Sequence, residues 1–371
     1  MISRVHGEML IVAILQIGDL SYADDFQPNG TCLVGNWEVP GASYFLSYQP
    51  KWDTWGRLAE DLIAYYPHIT IGGNHELESM AARDNVTNLS YNARYPNPQD
   101  PEVINSAPNY APLYWDQSLL PGEGKFVSND ISDKVKTNNT WYSVDVGPAH
   151  IVMMNNYVPY SNSSVMYKWF EEDMKNVNRT RTPWVIVGFH APWYATYVNH
   201  YKENSNMQLY FEPLFLKYDV DIVTNGHVHA YDRSPPVFSY EPNTCGPIYV
   251  TVGDGGNVEG LYRQFVDEAP IPAYCANQSL WSPAAYQPTY SGDGYIDPDV
   301  PFCYQSQAPF SDYRDPSFGH GVLTLLNDTA ARWQWNKNVD PEDQFNDDII
   351  IVKNPTDECT SKVVMGTELS C

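Results

Sequence analysis

The run Trp184-Val185-Ile186-Val187-Gly188-Phe189-His190 and the run Val220-Asp221-Ile222-Val223-Thr224-Asn225-Gly226-His227-Val228-His229 decide the fold. Each is a short apolar segment rich in β-branched residues, the composition of a strand covered on both faces, and each ends in histidine. Residues 207–218 between them read as a helix. Strand, helix and strand in that order predict a crossover unit with parallel strands. Working outward, residues 11–17 predict a first buried strand that leads into Gly18-Asp19, and residues 68–72 predict another. A helix is expected over 51–66, where Trp55, Leu58, Leu62 and Tyr65 recur at helical spacing. Residues 141–146 and 150–155 predict paired strands. Residues 164–176 predict a helix with a serine cap ahead of it, residues 247–252 a further strand, and residues 321–326 with 332–336 a closing hairpin. The alternation predicts a layered α/β fold without internal repeats.

Two stretches interrupt the pattern. Residues 85–139 are rich in Pro, Asn and Tyr and read as a loop-rich insertion, and residues 258–318 read as a second one. The segment 341–371 reads as an acidic tail.

Composition narrows the function. The 371 residues are 43% hydrophobic and 14% aromatic, enough for a sizeable core. Acidic residues outnumber basic ones 45 to 21, for a formal charge of -24. Such a field argues against a nucleic-acid partner and repels any anionic substrate, so phosphate chemistry requires a local cationic site. No stretch approaches the roughly 20 apolar residues of a membrane span. The short run 9–17 reads as a strand and not as a signal peptide, so no export signal is visible. Eight Asn-x-Ser/Thr sequons, at Asn29, Asn85, Asn88, Asn138, Asn162, Asn178, Asn277 and Asn327, nevertheless favour a secreted glycoprotein carrying N-linked glycans. The six cysteines (Cys32, Cys245, Cys275, Cys303, Cys359 and Cys371) lack Cys-x-x-Cys spacing and suit long-range disulfides, with free buried thiols as the alternative.

Four blocks carry the chemistry: Gly18-Asp19-Leu20-Ser21-Tyr22, Gly73-Asn74-His75-Glu76, Val187-Gly188-Phe189-His190 and Gly226-His227-Val228-His229. All sit at expected strand ends, where open α/β sheets place their ligands. They offer a carboxylate, a phenol, an amide oxygen and imidazoles, a mixed set that suits two neighbouring cations. Each has a plainer reading. Gly-Asp after a strand is a common turn, a lone strand-end histidine is commonly a structural hydrogen bonder, and tyrosine is abundant here. His227 and His229 together are the most specific signal, because at a bend they can reach two adjacent metals. His6, His68, His150 and His320 lack such context and read as structural; His200 is intermediate.

Together these blocks resemble the purple acid phosphatases, within the metallophosphoesterase superfamily. His190-Ala191-Pro192-Trp193-Tyr194, Gly253-Asp254-Gly255-Gly256-Asn257 and Phe318-Gly319-His320 are also similar to family phrases. The match extends over nearly the whole chain and looks closest to secreted fungal-type acid phosphatases. The resemblance implies an αββα-type β-sandwich with mixed sheets flanked by helices, and a catalytic domain over 1–340. It implies that Asp19 bridges two metals, that Tyr22 and His229 hold iron(III), and that Asn74, His190 and His227 hold a divalent iron, zinc or manganese ion. It also implies that His75 and His200 contact substrate, with Asn199-His200 standing where the family often has two histidines. The activity implied is hydrolysis of phosphate monoesters, phytate among them, with a metal-held hydroxide as nucleophile.

Two departures from the family pattern shape the expectations. An Asp-x-Gly block on an earlier strand, which supplies a further iron ligand, has no match before Gly18, and the family's N-terminal β-sandwich domain has none either. The chain is therefore expected to lack the start of its parent, with Glu8 or His6 as a less favoured substitute ligand, and to bind the iron position weakly. Two other functions compete: a phosphodiesterase or nucleotide pyrophosphatase of the same superfamily, against which Tyr22 argues, and a non-catalytic phosphate-binding or cell-wall glycoprotein with an incomplete iron site.

Overall fold

The computed structural model describes residues 2–5, 8–25, 48–77, 88–95, 97, 114–115, 126–127, 141–268, 306–341, 344–353 and 362–365. In chain order the strands are β1 (Ile2–Val5), β2 (Glu8–Ile11), β3 (Ile14–Ile17), β4 (His68–Ile71), β5 (Tyr114–Trp115), β6 (Phe126–Val127), β7 (Tyr142–Val146), β8 (Ala149–Met153) and β9 (Trp184–Gly188). They continue with β10 (Ile222–Asn225), β11 (Tyr231–Phe238), β12 (Glu241–Pro242), β13 (Ile248–Val252), β14 (Tyr313–Asp315), β15 (Gly319–Leu325), β16 (Ala330–Lys337), β17 (Asp347–Lys353) and β18 (Lys362–Met365). Among the described residues the α-helices are α1 (Gln49–Ile63), α2 (Leu89–Arg94), α3 (Val165–Asn176) and α4 (Ser205–Lys217).

Two mixed sheets form the sandwich. One has eight strands in the order β12-β11-β13-β10-β9-β8-β7, with β14 paired to β11; the other has six in the order β18-β17-β16-β15-β1-β2. Strands β8, β9, β10 and β13 run parallel, and the short pair β3 and β4 is also parallel. The expected crossover is present, with β9, α4 and β10 in succession.

Strict alternation explains the layering. In β9, Val185 and Val187 face α3 and α4, where Met166, Phe170, Phe211 and Phe215 close one core. Trp184 and Ile186 point the other way, into a core shared with Leu323, Trp333, Trp335, Ile349 and Ile351 of the second sheet. Ser164 caps α3, one residue later than the expected serine cap, its hydroxyl accepting from the Tyr167 N–H at 3.2 Å.

Three features depart from the sequence reading. Most of the expected helical stripe faces outward: Leu58 is 81% and Tyr65, just past α1, 79% exposed, while Trp55 is partly buried beside Trp52, which packs against Leu20, Ala23 and Tyr91. The long strand β11 carries Pro235 and Pro236, which argue against a strand in sequence; a register shift between Arg233 and Pro236 accommodates them. Two stretches of the acidic segment after 340, β17 and β18, belong to the second sheet. Asp347 at the start of β17 is buried and accepts from Arg233 Nε and Tyr231 Oη, each at 2.6 Å, so its charge is paired inside the fold. Most of 85–139, much of 258–318 and His6 lie outside the described residues.

Candidate metal centre

The carboxyl ends of β3, β4, β9 and β10 converge, and each delivers one of the four sequence blocks. The backbone there is specialised. Asp19, Tyr22 and His227 all have positive φ, at 52°, 51° and 63°, strain that non-glycine residues tolerate mainly at functional sites. Glycine is required beside them: a Cβ on Gly73 would lie 2.1 Å from Asp19 Oδ1, and one on Gly18 would lie 2.4 Å from His190 Nδ1.

Asp19 stands at the centre. Its Oδ2 lies 2.8 Å from His190 Nε2 and 3.5 Å from the Tyr22 hydroxyl. His190 Nε2 is also 3.1 Å from Asn74 Oδ1, while its Nδ1 donates to the Ile17 carbonyl at 2.6 Å and fixes the ring. Asp19, His190 and His227 bring one donor atom each to within 4.8 Å of one another. On the other side Tyr22 Oη is 2.9 Å from His229 Nε2, and His229 Nδ1 donates to the Gly260 carbonyl at 3.0 Å. Histidines anchored through one nitrogen with the other facing a shared space are the arrangement of metal ligands.

Two further histidines border this space. His75 Nδ1 is 3.0 Å from Asp24 Oδ1 and its Nε2 is 3.8 Å from Glu259. His200 packs against His227 with ring centroids 3.9 Å apart, its Nδ1 contacts Glu203, and its Nε2 is 3.2 Å from the Tyr262 hydroxyl. All eight residues singled out in the sequence therefore meet in one region. Sequence reasoning passed over Asp24, Glu76, Glu203, Glu259 and Tyr262. Glu76 lies inside one of the quoted blocks; it is fully buried and accepts the N–H groups of Asp19, Leu20 and Gly73 at 2.7–2.8 Å, locking the two ligand loops together.

The electrostatics suit cations. Burial pushes the Asp19 carboxyl up, but His190, His75 and His227 outweigh it and hold it well below its ordinary range. Burial lowers His227 to about 4 and His229 to about 3, so both keep a lone pair free for a metal. Burial followed by Asp19 pushes the Tyr22 phenol far up, so a tyrosinate here requires a neighbouring cation. Burial opposes the charge on His75, but Asp24, Asp19 and Asp25 raise it well above its ordinary value and keep it cationic. The donor set thus fits two metals.

A layered α/β sandwich with oxygen and nitrogen donors at its strand ends defines the class of metal-dependent phosphoesterases. Residues 9–231 match the family described as calcineurin-like phosphoesterase, and residues 291–347 match that described as iron/zinc purple acid phosphatase-like protein C. The chain belongs to the calcineurin-like phosphoesterases, in their purple acid phosphatase family. Purple acid phosphatase 15 of Arabidopsis thaliana is 36% identical over 349 residues, covering 93% of this chain and 58% of that protein. The Fe(3+)-Zn(2+) purple acid phosphatase 12 of Arabidopsis thaliana is 31% identical over 340 residues, covering 88% and 54%. Among solved structures, a purple acid phosphatase isolated from yellow lupin seeds shares the fold, with a TM-score of 0.52 at 19% identity, covering 92% of this chain and 46% of that one. The chain thus spans little more than half the length of these curated relatives.

Proposed function

We propose that this chain hydrolyses phosphate monoesters at a binuclear metal centre. The observation that carries the reading is the position of Asp19, whose Oδ2 reaches His190 Nε2 at 2.8 Å and the Tyr22 hydroxyl at 3.5 Å, so one carboxylate faces both halves of the donor set. Asn74, His190 and His227 would hold a divalent iron, zinc or manganese ion, Tyr22 and His229 would hold iron(III), and Asp19 would bridge them. When bound, the two cations supply the positive charge that gathers a phosphate group, steadies the transferring phosphoryl and makes a water nucleophilic.

The remaining steps belong to the chain's own side chains. His75, kept cationic by Asp24, is placed to donate a proton to the departing oxygen. His200, held by Glu203 and Tyr262, is placed to contact the phosphate or leaving group. A cationic His75 suits acidic operation, and the local positive charge offsets the net charge of -24 that would otherwise repel the substrate.

The catalytic unit proposed at 1–340 is best extended through Lys353, because β17 pairs along β16 and buries Ile349 and Ile351. A secreted or cell-wall protein fits the exposure of the sequons: Asn162, Asn178 and Asn327 are exposed and open to glycosylation, whereas Asn88 is buried and is not expected to carry a glycan. A disulfide at Cys245 would fit the same compartment. Phytate remains a candidate substrate within the monoester class.

Turnover of a chromogenic phosphate monoester and of the matching diester, at acidic pH with iron and zinc supplied, tests the reading. Preferential monoester hydrolysis that disappears in Asp19→Asn is expected. Diester preference would replace it with the phosphodiesterase reading, and inactivity on both with tight phosphate binding would favour the non-catalytic one.

A further inference from the structure

We propose that Glu259 supplies a carboxylate ligand to the cation held by Tyr22 and His229; the proposal rests on the two-metal reading above. On this side of the pocket Tyr22, His229 and the shared Asp19 give three protein donors. A hard trivalent ion favours several anionic oxygens. Glu259 provides one. Its Oε2 lies 3.7 Å from His229 Nε2 and its Oε1 lies 3.8 Å from His75 Nε2.

Taken pair by pair, adjacent donors stand at the spacing of neighbouring ligands. Donors roughly 2.0–2.2 Å from a cation stand roughly 3–4 Å from one another. Here Asp19 to Tyr22 is 3.5 Å, Tyr22 to His229 is 2.9 Å, and His229 to Glu259 is 3.7 Å. Among the described residues the basic side chains within ion-pair distance of the Glu259 carboxylate are these two histidines, with no lysine or arginine in the set.

The loop that carries Glu259 is built around His229. Asn257 Oδ1 accepts the N–H groups of Glu259 at 3.0 Å and Gly260 at 2.9 Å, a turn that fixes the direction of the Glu259 side chain. Gly260, with φ at 88°, turns its carbonyl onto His229 Nδ1. Tyr262 stacks on the His229 ring at 4.5 Å, and its N–H donates to the His229 carbonyl at 3.1 Å. One loop therefore orients the imidazole and presents the carboxylate beside it. The same carboxylate, reaching His75, links the metal pocket to the proton donor.

The test compares the full chain with Glu259→Gln and Glu259→Asp, each loaded with iron and zinc, by metal analysis and by visible absorption of the tyrosinate–iron(III) pair. Glu259→Gln should lose at least about tenfold in iron affinity and shift or lose the band while keeping its zinc, and Glu259→Asp should recover part of both. Circular dichroism of the metal-free proteins should be the same, which separates ligation from folding. A coloured wild type whose Glu259→Gln variant keeps the same iron content and band overturns this proposal alone. A colourless, iron-free wild type overturns the two-metal reading and this proposal with it.

Discussion

The two halves of the metal pocket are built differently. Asn74, His190 and His227 follow directly on β4, β9 and β10, so the sandwich core sets their positions, and His190 is pinned further by the Ile17 carbonyl at the end of β3. Tyr22 and Glu259 stand further from the strands, and His229, just ahead of β11, shares their loop contacts, held by the Gly260 carbonyl and by Tyr262 stacked over its ring. A site on strand ends is rigid with or without its ion, whereas one on loops depends on the ion to hold it together. Asp19, proposed to bridge them, belongs to both halves, and the difference between them can be broken one residue at a time.

Asp19→Asn should have the largest effect: metal content falls in both halves, and monoester turnover drops by about 10³-fold or more, since each bound cation contributes several kcal/mol to the transition state. Next come the paired variants that separate the halves. His190→Ala should lose the divalent ion while the visible band survives; Tyr22→Phe should lose the band while the divalent ion survives, and metal analysis with absorption reads both. Loss of both metals in either variant would show that the halves are not independent. Glu76→Gln should cost about 1–3 kcal/mol in urea unfolding of the metal-free chain, because a buried amide replaces the carboxylate that accepts three backbone N–H groups.

The smallest effect is expected far from the pocket. His150 sits between Asp145 and Asp173, at 2.7 and 2.9 Å; burial opposes its charge, but the two carboxylates raise it above its ordinary value. A raised value means that the folded chain binds this proton more tightly than the unfolded one. The stabilisation is therefore complete below about pH 6.5 and is lost as pH rises through the raised value. His150→Asn should be less stable than wild type by about 1–2 kcal/mol at pH 5, with the gap closing in alkali. An equal gap at both ends of the pH range would rule out this ion pairing.

The same contrast explains what the sequence reveals. The strand-end half is legible because a β-branched run ending in Asp or His fixes both an element and the direction in which its last side chain points; β9 into His190 and β10 into His227 are the plainest cases. The loop half is only partly legible. Tyr22 and His229 fall within short motifs, but Glu259, Glu203 and Asp24 are three among 45 acidic residues, and only the folded loops bring them to the histidines. In the fold, β11 is hidden by Pro235 and Pro236, whose ladder defect is absorbed by a register shift. β17 is hidden by Asp347 and Asp348, whose charges look solvated until Arg233 and Arg332 are seen to pair with them. Leu58, Leu62 and Tyr65 show the converse, helical periodicity whose side chains stay exposed while Trp55 alone of the stripe packs inward.

The most direct test of the account is a titration of the metal-free chain with iron(III) and zinc, following visible absorption and hydrolysis of a phosphate monoester together. Activity should rise to a plateau at two metal equivalents per chain, with a tyrosinate–iron(III) band that grows as the iron site fills. Activity that saturates at one equivalent, or two bound metals without the band, would contradict it.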